Sequence, residues 1–323
     1  MIYTYLNKKL ETYGNWVSNK KIAILKTDAC DSALLEFLNK NNASVTIFDK
    51  KPIDKLNVEI LSLIKKYGNN YALGDNCLSK LNGFDMVIGT KNYLQDFPEA
   101  IEDNSIVPDI DIFMGLCPCT VIGVTGSIGK TVTANMICDV LKEKGYKCYT
   151  NTYEEHDWIS KLNIMDSKSI MVLELNIDDL VNMCSSPNIA VITDVSPLNC
   201  NLSNTYKSYE KYINSYKNIF LHQSSEDILV IDADNEVTDK MKLEAKGKVV
   251  PFSCKYKLDC GIMYENNTIK LCEDGLRRHI INTKNIAISG SQNYKNICAS
   301  IAATSSLVDI DTQINAIYKF YGV

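Results

Sequence analysis

The sequence predicts an α/β chain made of two parallel-sheet units in series, on three observations. Short apolar runs alternate with helix-period segments from Lys21 to Gly89. The alternation pauses over Asp109 to Cys119 and resumes with a new apolar strand at Thr120. A glycine-rich strand-to-helix turn then opens the second unit. A length of 323 residues suits two domains of about 100–200 residues each.

The elements follow in order. Lys21 to Leu25 reads as a buried strand, Ser32 to Asn41 as a helix, and Ser44 to Phe48 as a second strand ending at Asp49. Asp54 to Tyr67 reads as a helix and Asp85 to Gly89 as a strand. The Pro- and Gly-containing stretch around Asp109 to Cys119 is taken as the domain boundary. Beyond it, strands are expected at Val121–Val124, Ile170–Leu175, Ile189–Thr193 and Ile228–Ile231. Helices are expected at Lys130–Lys144, Tyr206–Asn218 and Val237–Ala245. Between Lys255 and Ile281, turn signals at Gly261, Asn266, Asn267 and Gly275 mark a β-rich excursion. Helices at Tyr294–Ser306 and Thr312–Phe320 follow it.

Composition narrows the function classes. With 46% hydrophobic and 23% charged residues, the chain has the apolar material for two cores and is not an intrinsically disordered one. A net charge of −5 and the lack of a basic stripe argue against nucleic acid as a partner. Twelve cysteines are scattered; Cys117-Pro-Cys119 is the closest pair, and no paired C-x₂-C spacing points to a zinc site. Met1 to Tyr13 carries polar residues where a signal peptide needs an apolar run, and Asp109 and Asp111 interrupt the most apolar stretch. No membrane association is expected, and the protein is read as cytoplasmic with reduced thiols.

The chemical signal lies in Val121-Ile-Gly-Val-Thr-Gly-Ser-Ile-Gly-Lys-Thr-Val-Thr. An apolar strand feeds a loop with Gly123, Gly126 and Gly129, after which Lys130 and Thr131 open a helix. Glycines let the backbone turn its N–H groups inward on an anion, and the helix N-terminus adds partial positive charge. Gly126, Ser127, Ile128, Gly129, Lys130, Thr131 and Val132 are therefore the expected nucleotide contacts, with Lys130 on the phosphates and the Thr131 hydroxyl on Mg²⁺. The loop departs from the strict G-x₄-G-K-[ST] form, because Val124 stands five residues before Gly129.

This loop resembles that of the Mur ligase family, G-x-T-G-T-N-G-K-[ST], with matches at Gly123, Thr125, Gly126, Gly129, Lys130 and Thr131. Ser127 replaces the usual Thr and Ile128 the usual Asn. Three further segments agree in order. Val172-Leu-Glu-Leu looks like the strand whose Glu binds Mg²⁺, which points to Glu174. Val230-Ile-Asp-Ala-Asp-Asn resembles the family's N-x-D-D strand end, and Gly290-Ser-Gln-Asn-Tyr-Lys-Asn its G-x-H-N-x-x-N stretch, with Asn293 and Asn296 placed near the adenine.

Phe48-Asp49 and Pro108-Asp-Ile-Asp-Ile-Phe look most like the family's D-glutamate-adding branch. The resemblance implies a Rossmann-like, UDP-substrate-type domain over residues 1–117 and a P-loop central ATP-binding domain over 118–323. It implies ATP and Mg²⁺ as cofactors, a UDP-sugar peptidoglycan precursor as partner, and amide-bond formation through an acyl phosphate, with Lys130 and Glu174 in catalytic roles. The family's third domain follows a linker like F-x-G-[LV]-x-H-R, and this sequence stops at Phe320-Tyr-Gly-Val323. The expectation is a chain without the C-terminal ligase domain, which a protein partner would supply.

Several positions depart from the family pattern. Asn199 and Asn201 stand where the segment S-P-x-H-L-D has His and Asp. Tyr216 stands at the lysine of Y-x-x-A-K, with Lys217 one residue late; one step turns a helical side chain by about 100°, so Lys217 faces elsewhere and reads as solvated. The turn after the first strand, Lys26-Thr-Asp-Ala-Cys-Asp-Ser, has no glycine and two acids, Asp28 and Asp31, that oppose a diphosphate. It reads better as a plain βα turn capped by Asp31 or Ser32 than as a UDP site. These losses support a second reading, an ATP-binding but non-catalytic member acting with a partner.

Overall fold

The computed structural model describes residues 14–28, 31–90, 93–97, 106–151, 158–162, 164–196 and 208–322. Asn199, Asn201 and His156 lie outside them.

The first sheet contains β1 (Lys21–Leu25), β2 (Ser44–Asp49), β3 (Asn70–Leu73), β4 (Met86–Gly89) and β5 (Ile106–Pro108) in the order β3-β2-β1-β4-β5. All of its pairings are parallel. Ile22, Ala23, Ile24 and Leu25 of β1 are wholly buried, which explains a strand that is apolar on both faces instead of alternating.

Helices α1 (Ser32–Lys40) and α2 (Val58–Tyr67) connect these strands. α2 starts later than Asp54 because the Asn57 side chain accepts from the Glu59 amide, and it ends where Gly68 takes φ 69°. The segment read as a pause contains α3 (Asp109–Leu116). The buried Ile110, Ile112, Phe113 and Leu116 share one face, but Met114 and Gly115 on the less buried side are apolar as well, so the sequence shows no polar face to mark the helix.

The second sheet has nine strands: β6 (Thr120–Thr125), β7 (Cys148–Thr150), β8 (Ile170–Glu174), β9 (Ile189–Ile192), β10 (Ile228–Asp232), β11 (Lys248–Ser253), β12 (Gly261–Glu265), β13 (Thr268–Glu273) and β14 (Leu276–Asn282). Their order is β14-β13-β12-β11-β10-β9-β6-β8-β7. β7 to β12 are parallel to their neighbours, whereas β12, β13 and β14 form an antiparallel meander. Asn266 and Asn267, both at positive φ, make the first of its turns, as a two-residue hairpin requires. β11 was missed because Pro251 interrupts it; the pairing with β12 begins only after the proline, at Phe252 opposite Ile262.

The longer helices of this unit are α4 (Lys130–Glu143), α5 (Tyr209–Leu221), α6 (Glu236–Met241), α7 (Ser291–Thr304) and α8 (Ile310–Lys319), with single helical turns at Trp158–Lys161 and Ile177–Leu180. α5 is displaced from the expected span because the Ser208 hydroxyl caps it by accepting from the Lys211 amide. α4 buries Ala134, Met136, Ile137, Val140 and Leu141 in one core with Ile297, Ile301 and Ile317 of α7 and α8. Each large apolar side chain removed from water there contributes about 1.5–3 kcal/mol. That packing makes the strand-loop-helix unit at β6 and α4 a rigid platform.

Asp111 of α3 ties the two sheets together. Its carboxylate accepts from the amides of Cys184 and Ser185, at 2.7 and 2.9 Å, and from the Ser185 hydroxyl. A cavity of about 560 Å³ beside it, lined in part by Met114, Cys117, Cys119, Cys184 and Pro187, opens at the N-terminal ends of the strands, remote from the loop after β6. Among the described residues, no helix is long and apolar enough to cross a membrane.

Candidate functional site

β6 lies between β8 and β9, with Val124 opposite Glu174 and Thr125 opposite Ile192. This register brings three strand ends to one place: the loop Gly126–Gly129 in the centre, Glu174 on one side, and Thr193 and Asp194 on the other. None of these is near another in sequence, and only the sheet order joins them.

The loop glycines have separate physical reasons. Gly126 has φ 143°, and a Cβ there would lie 2.0 Å from the Thr193 hydroxyl. Gly129 has φ 87°, and its Cβ would lie 2.3 Å from Asn296 Oδ1. Both positions exclude a side chain by backbone conformation and by contact. Gly123 differs from the expectation, since it is within β6 and makes room for Pro187 and Leu175 against the strand.

Lys130 opens α4 and points its Nζ back to the Gly126 carbonyl at 2.9 Å, across the mouth of the loop. The Thr131 hydroxyl donates to Glu174 Oε1 at 2.9 Å. Asn151 holds Glu174 in place from both directions, accepting from its amide at 2.7 Å and donating to its carbonyl at 3.0 Å. The Ile128 side chain is half exposed at the loop tip, and Val132 is partly buried against the second core.

Thr131 and Glu174 offer the hard oxygen donors that Mg²⁺ takes. Among the described residues, no three His, Cys, Asp or Glu side chains gather as a metal cage. A hydroxyl and one carboxylate completed by nucleotide phosphates and water is the usual composition of a Mg²⁺ site, so the residues present fit the ion.

α7 approaches the loop from the far side. Asn296 is buried against Gly129 and its Oδ1 accepts from Gln292 Nε2 at 3.1 Å, while Asn293 bonds the Ser289 carbonyl at 2.9 Å. Asn296 thus braces the phosphate loop, with Asn293 one turn earlier and closer to solvent. Between them, Lys295 reaches Asp232 at the end of β10 at 2.6 Å and Asp234 at 3.7 Å. Burial raises the Asp232 carboxyl above its ordinary range, against the pull of Lys295.

Sequence reasoning missed Asp194, two residues past the end of β9. Its Oδ1 accepts the Ile128 amide at 2.8 Å and its carbonyl accepts the Ser127 amide at 3.3 Å. Thr193 completes the clasp by donating to the Ile128 carbonyl at 2.7 Å. The one available signal was its position at the end of an apolar strand, and strand pairing is not written there.

Tyr216 is buried, with its ring edge-on to Tyr212 at 5.2 Å and their hydroxyls 3.3 Å apart. Burial first, then the bond to Tyr212, push its phenol well above the usual range, and Ser127 of the loop is a further hydrogen-bond neighbour. Lys217, expected to be solvated, instead pairs with Glu244 at 2.6 Å, on a face turned away from the loop.

The Mur ligase middle domain matches residues 124–304. The chain is 35% identical to the UDP-N-acetylmuramoylalanine--D-glutamate ligase of Acetivibrio thermocellus, over 98% of this chain and 68% of that protein. It is 34% identical to the ligase of the same name from Clostridium acetobutylicum, over 98% of this chain and 69% of that one. In fold it resembles the UDP-N-acetylmuramate:L-alanyl-gamma-D-glutamyl-meso-diaminopimelate ligase of Neisseria meningitides, with a TM-score of 0.54, 16% identity, and coverage of 95% of this chain and 99% of that one. A pseudomurein peptide ligase type C from Methanothermus fervidus gives a TM-score of 0.52 at 19% identity, covering 94% and 71%. With the domain match spanning the phosphate loop, Glu174 and α7, and relatives aligned along almost its whole length, the chain belongs to the Mur ligase family.

Proposed function

We propose that this chain binds Mg·ATP at the loop after β6 and supports the ATP-dependent activation of a carboxylate for amide-bond formation, as in D-glutamate ligases of peptidoglycan synthesis. The observation that carries the reading is the Thr131–Glu174 pair at 2.9 Å beside a lysine-closed glycine loop. Lys130 would leave the Gly126 carbonyl for the phosphates, the loop amides and the N-terminus of α4 would hold the anion, and Thr131 with Glu174 would hold the metal. Bound Mg²⁺ supplies charge neutralisation for the transferred phosphoryl group. Asn293 and Asn296 are proposed at the adenine end, with Asn296 acting through Gly129.

Tyr216 favours a second reading in which the chain binds nucleotide without turnover. It puts a neutral phenol where the family's Y-x-x-A-K stretch has its lysine, and Lys217 is engaged with Glu244. One experiment separates the two. Calorimetric titration with Mg·ATP, beside a Lys130→Ala control, tests binding, and ADP release with UDP-N-acetylmuramoyl-alanine and D-glutamate tests turnover. Binding with ADP release supports the ligase, binding alone supports the second reading, and no binding sinks both.

A further inference from the structure

The chain passes from the first sheet to the second through α3 and the residues Cys117, Pro118 and Cys119, after which β6 begins at Thr120. Both cysteines are reduced, and their sulfurs lie 3.5 Å apart. The local sequence sets this contact. Cys117 closes α3, its amide donating to the Phe113 carbonyl at 2.8 Å, and takes ψ 125°, the extended region that a residue before proline adopts. Pro118 fixes its own φ, and β6 holds the chain on the far side through the pairing of Thr120 with Ile170. The two flanking side chains are thereby aimed at one another.

A disulfide needs its sulfurs at about 2.05 Å, so closure here takes an approach of about 1.5 Å by side-chain rotation. Cys117 is buried and Cys119 half-buried, and both line the cavity of about 560 Å³, whose wall also carries Cys184. A reagent that attacks one sulfur therefore leaves it beside a second one at high effective concentration. The hydrogen bond to Cys117, and then burial, raise the Cys119 thiol above its usual range, so the pair keeps one proton between its sulfurs after the other has left. A thiolate beside a thiol is the arrangement from which a disulfide forms.

We propose that Cys117 and Cys119 form a reversible dithiol–disulfide site for small two-electron oxidants of the hydroperoxide class. One thiolate attacks the peroxide, whose O–O bond breaks; hydroxide leaves, and the sulfur becomes a sulfenic acid. The neighbouring sulfur then attacks the sulfenic sulfur, the S–O bond breaks, and the oxygen leaves as water with the thiol's proton. In sum, two thiols lose two electrons and two protons, and one hydrogen peroxide is reduced to two waters. A thiol reductant reverses the bond by exchange. Condensation with the neighbour stops the oxidation short of sulfinic acid, the irreversible stage. The site lies at the end of β6 opposite the phosphate loop, and it does not rest on the proposed function.

The test exposes the reduced full chain to hydrogen peroxide, quenches samples by alkylation, and maps the cysteines by peptide mass spectrometry. The peptide carrying Cys117 and Cys119 should lose two hydrogens, resist alkylation, and recover both thiols with dithiothreitol. Cys184, exposed and on the same cavity wall, is the internal reference, and the pair is expected to react at least about fivefold faster. A pair that stays open to alkylation until Cys184 is oxidised, or that ends as sulfinic acid or in a disulfide with another cysteine, overturns the proposal. In Cys119→Ser, Cys117 should instead give a sulfenic acid that dimedone traps and should go on to sulfinic acid. A Cys117 as resistant to sulfinic acid in that variant as in the parent removes Cys119 from the reaction. The mapping of the unaltered chain decides the matter even where the variant misfolds.

Discussion

The Asp194 carboxylate accepts the amide of Ile128 at 2.8 Å, and so places a negative charge on an N–H of the loop that the proposed reading gives to ATP phosphates. Asp194→Asn keeps an acceptor oxygen and removes the charge. A unit charge about 6 Å from a phosphate interacts by roughly 2–3 kcal/mol at an effective dielectric of 20. The variant should bind ATP at least about fivefold more tightly at low salt, with a smaller gain at high salt. Calorimetry at two ionic strengths checks this, and weaker binding by the variant would show that the carboxylate's contribution to loop order outweighs its repulsion.

Gly129→Ala tests the other side of the loop. The new Cβ would meet Asn296 Oδ1 at 2.3 Å with φ at 87°. The left-handed conformation alone costs about 1–2 kcal/mol for a residue with a Cβ. Loss of nucleotide binding is expected, with a melting temperature lower by about 2–4 °C per kcal/mol. Unchanged binding would show that α7 does not brace the loop.

Thr131→Val and Glu174→Gln should both weaken the dependence of ATP binding on Mg²⁺, because each removes a hard oxygen ligand or its charge. A loss of about tenfold in affinity with Mg²⁺, against little change with EDTA, is the pattern that locates the metal, and tenfold corresponds to about 1.4 kcal/mol. An equal loss in both conditions would place these residues in loop structure instead.

Asp109 opens α3 in a buried position, and burial, with Asp31 and Asp179 as like-charged neighbours, holds its carboxyl well above the ordinary range. The folded chain therefore binds this proton more tightly than the unfolded one. Its contribution to stability is complete below the unfolded value, about pH 3.9, and is lost as pH rises through the raised folded value. Asp109→Asn should melt at a higher temperature than the parent at neutral pH, with the difference shrinking towards about pH 4. Melting curves across that range decide it; a variant less stable at neutral pH would mean the carboxylate has a partner that the amide cannot replace.

Much of the architecture was legible because its signals are local. The spans at Lys21–Leu25 and Ile170–Glu174 stand in the sequence as bounded apolar runs, and Lys130 marks the start of α4 directly after the loop glycines. α3 was illegible because its less buried side also carries the apolar residues Met114 and Gly115, and β7 because three half-buried residues carry too little pattern. Boundaries at α2, α5 and α8 turned on the caps Asn57, Ser208 and Asp309, which shift a helix start by a few residues.

By itself the sequence determined the loop, its lysine and threonine, and the family to which they belong, because a phosphate-binding turn is contiguous and its glycines serve backbone conformations that few other residues adopt. Only the tertiary structure decided that Glu174 and Asp194 flank that loop, that Tyr216 packs against Tyr212 beside it while Lys217 pairs with Glu244, and that Asp49 accepts from the first-domain turn. These relationships depend on which strands lie side by side and on how far a helix has rotated, and both are set by packing over long sequence separations.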